Sequence, residues 1–249
     1  KRQIMTSNPN NEMRAAELSI VVPVFNERGN IERLIELVAA SLPEVVWEII
    51  FVDDDSPDGT ANHVKAYAAR DRRVRCIRRV GRRGLSGATI EGMLSSSAPY
   101  VAVMDGDLQH DERVLIKMLA LIRSPNVDMV IATRERHGSS ISGLSEQRSL
   151  ISNFGKLLSR LVIKTDVNDP MSGFFMARRD IVEDVAPKLA TEGFKILADI
   201  LATTPKNLSI REIPYIFRER HEGESKLDSR VAFDYIGFLF HHLTGRLVP

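Results

Sequence analysis

Short apolar runs alternate with amphipathic segments along the first half of this chain. The runs cover residues 18–24, 47–52, 74–77, 100–104 and 128–133. The intervening segments carry apolar residues at helical spacing, as Ile31, Leu34 and Ile35 do after the first run. Apolar strands that alternate with amphipathic helices predict an α/β fold, in which a mainly parallel sheet is covered by helices on both faces.

The second half of the chain has a less regular pattern. The predicted elements are a loop at 139–145, a helix at 151–163, a turn at 169–173 and strands at 174–177 and 210–217. Pro214 lies within the last strand and predicts an edge position, because proline cannot donate to a strand ladder. We expect residues 1–17 to be a disordered polar leader and residues 18–228 to form one domain.

Composition bounds the class of protein. The chain has 249 residues and is 43% hydrophobic, which suits one large α/β domain with a sizeable core. Its 34 Lys and Arg balance 33 Asp and Glu, so the net charge of +1 does not point to a polyanionic partner. The single cysteine, Cys76, excludes an internal disulfide. The sequence contains no run of about 20 apolar residues, so it predicts no transmembrane helix.

The arginines are unevenly distributed. Eight of them fall within fourteen residues, at Arg70, Arg72, Arg73, Arg75, Arg78, Arg79, Arg82 and Arg83. Such a cluster could face nucleic acid, anionic lipid or phosphate, or it could be an ordinary solvated surface. The sequence leaves these alternatives open.

Polar segments follow the predicted strands, where the chain leaves the sheet. They are residues 26–27, 53–55, 81–87, 105–107 and 134–136. The carboxyl ends of parallel strands meet at one edge of the sheet, and ligands of open α/β sheets bind there. We therefore expect these five segments to converge on one rim.

Carboxylates dominate this predicted rim. Asp105 and Asp107 follow a buried strand and could both reach one divalent cation, with Asp53 and Asp54 nearby. Hard oxygen ligands favour Mg²⁺ or Mn²⁺, and such an ion could bridge to a nucleoside diphosphate. A helix cap or a solvated turn is the alternative interpretation of the acidic pair. The chain has neither a Gly-x-x-x-x-Gly-Lys-Ser/Thr loop nor a Gly-x-Gly-x-x-Gly after the first strand, which argues against a common ATPase or dehydrogenase.

Five motifs in order carry a family resemblance. They are IVVPVFNE at 20–27, VDDDSPDGT at 52–60, GLSGA at 84–88, DGDLQH at 105–110 and GESKL at 223–227. The first four resemble inverting family 2 glycosyltransferases, which have the A-type, Rossmann-like fold of nucleotide-diphospho-sugar transferases with a mixed sheet. The SPDGT element at 56–60 and the fifth motif narrow the resemblance to the polyprenyl-phosphate branch, most closely dolichol-phosphate mannosyltransferases (polyprenol monophosphomannose synthases).

The resemblance implies two groups of donor-binding residues. Those that match the guanosine site are Pro23, Phe25, Glu27, Val52 and Asp54. The family usually has Tyr where Phe25 stands, so stacking would remain without the hydroxyl contact. Asp105, Asp107 and Gln109 match the site of the metal, Mg²⁺ or Mn²⁺, and of the diphosphate. Gly106 stands there in place of a frequent Ala.

Basic residues complete the implied site, and one further carboxylate is a candidate apart from the resemblance. Arg134 matches an arginine that follows a Thr after the next strand. Arg148 matches a basic residue facing the acceptor phosphate, and Arg220 and Lys226 match residues that close over the donor phosphates. Asp169 could orient the sugar, polarise the acceptor or simply be a turn carboxylate before a proline.

The implied activity is metal-dependent transfer of mannose from GDP-mannose to a polyprenyl phosphate at the membrane surface, with inversion. A phosphate monoester is largely ionised near neutral pH, so its attack needs no general base. A UDP-sugar donor such as UDP-glucose remains an alternative, and a non-catalytic nucleic-acid-binding module is a remote one.

Residues 229–249 predict an amphipathic helix at the membrane surface that leads to a further C-terminal segment, or else a core helix or oligomer contact. We expect a membrane-associated enzyme with its active site on the cytoplasmic side.

Overall fold

The computed structural model describes residues 15–135, 167–191, 196–204 and 208–218. Its strands are β1 (Leu18–Val24), β2 (Trp47–Asp53), β3 (Val74–Arg78), β4 (Tyr100–Val103), β5 (Met129–Glu135), β6 (Phe175–Arg178) and β7 (Ile210–Ile216). Its helices are α1 (Ile31–Ser41), α2 (Thr60–Ala68), α3 (Leu85–Leu94), α4 (Val114–Ile122), α5 (Arg179–Val185) and α6 (Ile196–Thr203). The predicted alternation of apolar strands and helices is confirmed.

The seven strands of the described residues form one mixed sheet, in the order β3-β2-β1-β4-β6-β5-β7. β1 pairs in parallel with β2 and β4, β2 with β3, and β5 with β7. Among the described strands only β6 runs antiparallel, between β4 and β5. β7 lies at the edge, as Pro214 predicted, so the missing N–H of this proline interrupts no second ladder.

The two faces of the sheet have separate apolar cores. In β1, the side chains of Ile20 and Val22 pack toward α1, α2 and α4, whereas Val21 packs toward α3, α5 and α6. All three residues are fully buried. This burial of alternate residues on opposite faces explains why the strands read as continuous apolar runs rather than as alternating ones.

Some boundaries differ from those predicted. β5 extends to Glu135 because it pairs with β7 as far as Ile216, so Arg134 lies within the strand rather than beyond it. Helices α5 and α6 were not predicted. Glu17, assigned to the leader, is held by an ion pair with Arg123 and by a hydrogen bond from its N–H to the Val46 carbonyl. Residues 1–14, the predicted helix at 151–163 and the predicted helix at 229–249 lie outside the described residues.

Candidate active site

The loop after β4 is a tight turn that carries the acidic pair. The Gln109 N–H donates to Asp107 Oδ1 at 3.1 Å, and Leu108 between them has a φ of 64°. This left-handed conformation is unfavourable for leucine, and such strain tends to occur at functional sites. A Cβ on Gly106 would lie 2.9 Å from Val24 Cγ1, so close packing against β1 favours glycine there.

His110 is a buried residue that supports this loop. Its ring is buried and stacks on Phe174 with 5.0 Å between centroids. Its Nδ1 accepts the Asp105 N–H at 3.1 Å, so the proton of the neutral ring is on Nε2, 3.5 Å from Asp105 Oδ2. Burial lowers the pKa of His110, which keeps the ring neutral. His110 is part of the DGDLQH motif, but the sequence alone indicated no role for it.

The turn before β6 closes the other side of Asp105. Ser172 Oγ donates to the Ala132 carbonyl at 2.7 Å, which fastens the turn to β5. A Cβ on Gly173 would stand 3.1 Å from Asp105 Oδ2, so glycine leaves room beside that carboxylate. A cavity of about 20 Å³ lies between this turn, Asp105, Pro23 and α3, and it has room for about one water molecule. The sequence predicted the turn but not its contact with Asp105.

Arg134 and Asp169 form a two-pronged ion pair at the same rim. Arg134 Nε and Nη2 donate to the two Asp169 oxygens at 2.7 and 2.9 Å. The hydrogen bonds to Asp169 raise the pKa of Arg134, which stays charged. Two residues that the sequence proposed separately are therefore one unit, in which the carboxylate fixes the direction of the guanidinium.

Asp54 holds the loop between β3 and α3. Its Oδ1 accepts from Arg79 Nη1 at 2.6 Å and its Oδ2 accepts from the Gly84 N–H at 2.7 Å. Arg79 is only 4% exposed and also donates to Glu91 and to the Gly84 carbonyl. Both oxygens of Asp54 thus bind protein groups that shape the rim, a function that the sequence did not indicate.

The residues predicted to bind the nucleoside lie at this part of the rim or are buried beneath it. The Arg83 guanidinium lies over the Phe25 ring, 4.6 Å from its centroid. Glu27 accepts a hydrogen bond from the Asn30 amide at 2.7 Å. Pro23 and Val52 are opposite each other in β1 and β2, and Val52 is fully buried, so its side chain packs beneath the rim.

A model of glycosyl transferase family 2 matches residues 19–186, more than half of the chain and all of the motifs around the acidic loop. The chain belongs to glycosyl transferase family 2.

Solved structures share the fold of this glycosyltransferase at low sequence identity. Glucosyl-3-phosphoglycerate synthase from Mycobacterium tuberculosis, solved with Mn²⁺, UDP-glucose and phosphoglyceric acid, has a TM-score of 0.65 at 20% identity, over 92% of this chain and 80% of that one. Mannosyl-3-phosphoglycerate synthase from Rubrobacter xylanophilus has a TM-score of 0.64 at 17% identity, over 94% and 76%. These likenesses show the A-type glycosyltransferase fold.

Curated relatives of this family 2 glycosyltransferase have greater sequence identity. Proteins named dolichol-phosphate mannosyltransferase are 35% identical in Pyrococcus furiosus over 226 residues, 35% in Saccharomyces cerevisiae over 229 and 33% in Mycosarcoma maydis over 226. The matches cover 90%, 88% and 88% of this chain, and 63%, 84% and 76% of the relatives. The chain thus spans less than two thirds of the length of the Pyrococcus relative.

The acidic loop of this glycosyltransferase suits a hard cation that is shared with a ligand. Asp105 and Asp107 offer carboxylate oxygens, and the Asp105 side chain is 41% exposed. Within the described ranges, no group of three His, Cys, Asp or Glu residues is arranged to hold a metal by itself. Mg²⁺ and its analogues commonly bind through one or two carboxylates plus substrate phosphates, so the residues present fit such an ion.

The arginine cluster is largely neutralised by ion pairs. Five further members, besides Arg79, contact carboxylates: Arg70 with Glu32, Arg73 with Asp71, Arg75 with Glu48, Arg78 with Asp55 and Arg82 with Glu91. Arg70 and Arg73 also lie over the Tyr67 and Trp47 rings. This pairing favours the interpretation as an ordinary protein surface over that of a nucleic-acid interface.

Three predicted site residues lie outside the described part of the chain, namely Arg148, Arg220 and Lys226. Their roles stay predictions. The other predicted residues lie on loops or strand ends at the carboxyl edge of β1, β2, β4 and β5, together with the turn before β6. No helix in the described segments is long and apolar enough to cross a membrane.

Proposed function

We propose that this glycosyltransferase transfers mannose from GDP-mannose to a polyprenyl phosphate at a membrane surface, with inversion at the anomeric carbon. The observation that carries the proposal is that three relatives at 33–35% identity are named dolichol-phosphate mannosyltransferase. The carboxylate loop at the rim supports it, because a diphosphate donor needs its negative charge balanced and these carboxylates could hold a divalent cation that does so. A membrane surface follows from the lipid nature of the acceptor, and an active site on its cytoplasmic side belongs to the same proposal.

Asp105 and Asp107 would hold a divalent cation, and Gln109 would contribute from the same loop. When bound, Mg²⁺ or Mn²⁺ supplies positive charge that offsets the charge developing on the departing nucleoside diphosphate. The fold neighbour from Mycobacterium tuberculosis was solved with Mn²⁺ and UDP-glucose, which supports a divalent cation here. Arg220 and Lys226 would add positive charge at the leaving group.

The acceptor side of the reaction needs no base from the protein. His110 is unsuited to that role, because its Nδ1 lone pair already accepts the Asp105 N–H and its ring is buried. Arg134, held in direction by Asp169, would bind a phosphate through the part of its guanidinium that Asp169 leaves accessible; its side chain is 34% exposed. Arg148 would face the acceptor phosphate, which attacks the sugar as an oxyanion.

A UDP-sugar donor is the second candidate. The fold neighbour bound to UDP-glucose favours it, and carboxylates that hold a cation against a diphosphate do not by themselves distinguish guanine from uracil. The mechanism and metal would be the same, so only the identity of the donor separates the two candidates.

Transfer of radiolabel into an organic-extractable product tests the proposal. The protein, Mn²⁺ and a short polyprenyl phosphate are incubated with labelled GDP-mannose or labelled UDP-glucose, and reactions without acceptor are the controls. We expect labelled lipid from GDP-mannose only. Label from UDP-glucose only would establish the second candidate, and acceptor-independent counts would contradict both.

A further inference from the structure

The chain just after β7 is bonded to the acidic loop through its backbone. The Arg218 N–H donates to the Gln109 carbonyl at 3.0 Å, and Gln109 Nε2 donates to the Arg218 carbonyl at 3.1 Å. The two residues are 109 positions apart in the chain. This pair of bonds joins the edge strand of the sheet to the loop that carries Asp105 and Asp107.

The Arg218 side chain fixes that connection. Its Nη1 and Nη2 donate to the two Glu112 oxygens at 2.7 and 3.2 Å, and Nη2 also donates to Asp111 Oδ1 at 3.0 Å. The Glu112 side chain is only 4% exposed, so this two-pronged ion pair is screened less by solvent than a surface pair would be. Hydrogen bonds to Glu112 raise the pKa of Arg218, which stays charged.

The Arg218 carbonyl decides which end of the Gln109 amide faces it. A carbonyl oxygen can only accept a hydrogen bond, so the amide NH₂ of Gln109 must point toward Arg218. The amide oxygen, Oε1, is then the other end of the planar group. An oxygen is the atom that a hard cation or a water bound to it requires from an amide.

We propose that Arg218 is a positioning residue that orients the Gln109 amide so that its oxygen serves the metal and diphosphate site. This inference rests on the proposed function, because that function gives Gln109 its role. Arg218 acts through Gln109, because its own guanidinium is engaged by Glu112 and Asp111. Partners of this kind commonly change metal affinity when they are removed, although they are not ligands themselves.

The test is Mn²⁺ binding in the presence of GDP, measured from the electron paramagnetic resonance signal of free Mn²⁺. We expect Arg218→Ala to weaken Mn²⁺ binding about 10-fold, and Arg218→Lys to fall between it and the wild type because lysine lacks the planar fork. Arg113→Ala is the matched control. Arg113 pairs with Asp111 on the same loop, but its side chain is 72% exposed and its backbone does not bond to Gln109.

A double-mutant cycle separates a positioning role from a general structural one. If Arg218 acts through Gln109, then Arg218→Ala should weaken Mn²⁺ binding no further in a Gln109→Ala background. Additive losses, an unchanged Mn²⁺ affinity in Arg218→Ala, or equal losses in Arg113→Ala would each overturn the inference. If the unpaired charge of the buried Glu112 prevents Arg218→Ala from folding, the double substitution Arg218→Met with Glu112→Gln removes both charges and takes its place in the cycle.

Failure of this inference is distinguishable from failure of the proposed function. Wild-type protein that transfers mannose and binds Mn²⁺ with GDP, while Arg218→Ala binds it equally well, would refute the role of Arg218 alone. Wild-type protein that binds no Mn²⁺ with GDP would overturn the metal site and the inference with it. The radiolabel assay on the wild type reports the transfer reaction independently of either variant.

Discussion

Asp107 has two separable properties, its charge and its hydrogen bond to the Gln109 N–H. Asparagine in its place keeps an acceptor for that N–H but removes the charge that a cation needs. The left-handed Leu108 between the two residues requires the turn to be held, so alanine should also loosen the loop. Comparison of the two substitutions therefore distinguishes loss of chemistry from loss of loop geometry.

We expect both Asp107→Asn and Asp107→Ala to lower transfer by at least about 100-fold, because charge stabilisation of the leaving group is lost. The melting temperature of Asp107→Asn should stay near that of the wild type. Steady-state transfer and thermal unfolding of the purified variants measure this. Asp71→Asn is the control. Asp71 pairs with Arg73 just before β3, at the amino ends of the parallel strands and therefore away from the rim. A wild-type rate in Asp107→Asn would refute the assigned role.

Cys76 lies partly buried on β3, and burial raises the pKa of its thiol to about 11. Only about one thiol in 1,000 would then be ionised at pH 8. The folded protein should react with iodoacetamide at least about 100-fold more slowly than a free thiol at that pH. The rate should rise with pH up to about 11 and should reach the ordinary value in denaturant. Fast labelling of the native protein at pH 8 would contradict this prediction.

At the scale of elements, α3 packs closely against the sheet at Gly92. A Cβ on Gly92 would overlap Val21 Cγ1 and would lie 2.9 Å from Val52 Cγ2. The same helix begins at the loop that Asp54 and Arg79 hold, so the distance of α3 from β1 and β2 also affects the rim. Packing of this helix thus connects the core to the site.

Gly92→Ala should lower the free energy of unfolding by about 1–3 kcal/mol through overpacking, even though alanine favours the helix. Denaturant titration measures the loss. In a Val21→Ala background the cost of Gly92→Ala should shrink, because the Val21 methyl group that the new Cβ would overlap is gone. Equal costs in the two backgrounds would show that α3 does not press on Val21.

At the scale of the whole molecule, donor binding should stabilise the fold in proportion to the affinity of the site. The rim is built from several separate segments of chain, and a ligand that contacts more than one of them binds only the folded state. Thermal stabilisation by different nucleotides therefore reports which nucleotide the site prefers, and it requires neither the acceptor nor the membrane.

We expect GDP with Mn²⁺ to raise the melting temperature by several degrees, and UDP with Mn²⁺ to raise it less. At 100 times the dissociation constant the gain is about 2.7 kcal/mol, which corresponds to roughly 5–10 °C for a chain of this size. Each nucleotide is also measured with EDTA, which should remove most of the shift. A larger shift with UDP would favour the second candidate donor.

The sequence by itself determined the strands, the acidic loop and its place at the carboxyl edge. These features depend on burial along short stretches, which local apolar patterns report directly. The edge position of β7 was also readable, because Pro214 lacks an N–H. The order of the motifs was sufficient to indicate family 2, and the relatives confirm it.

Only the tertiary structure decided which distant groups meet. The Arg134–Asp169 pair spans 35 positions and the Arg218–Glu112 pair spans 106. Both depend on β6 inserting antiparallel between β4 and β5 and on β7 pairing outside β5, and no local pattern encodes that order. The binding of Asp54 to Arg79 and the burial of His110 against Phe174 likewise come from packing between elements. Local composition fixes what a segment can form, whereas charge pairing and burial across the sheet fix what its side chains do.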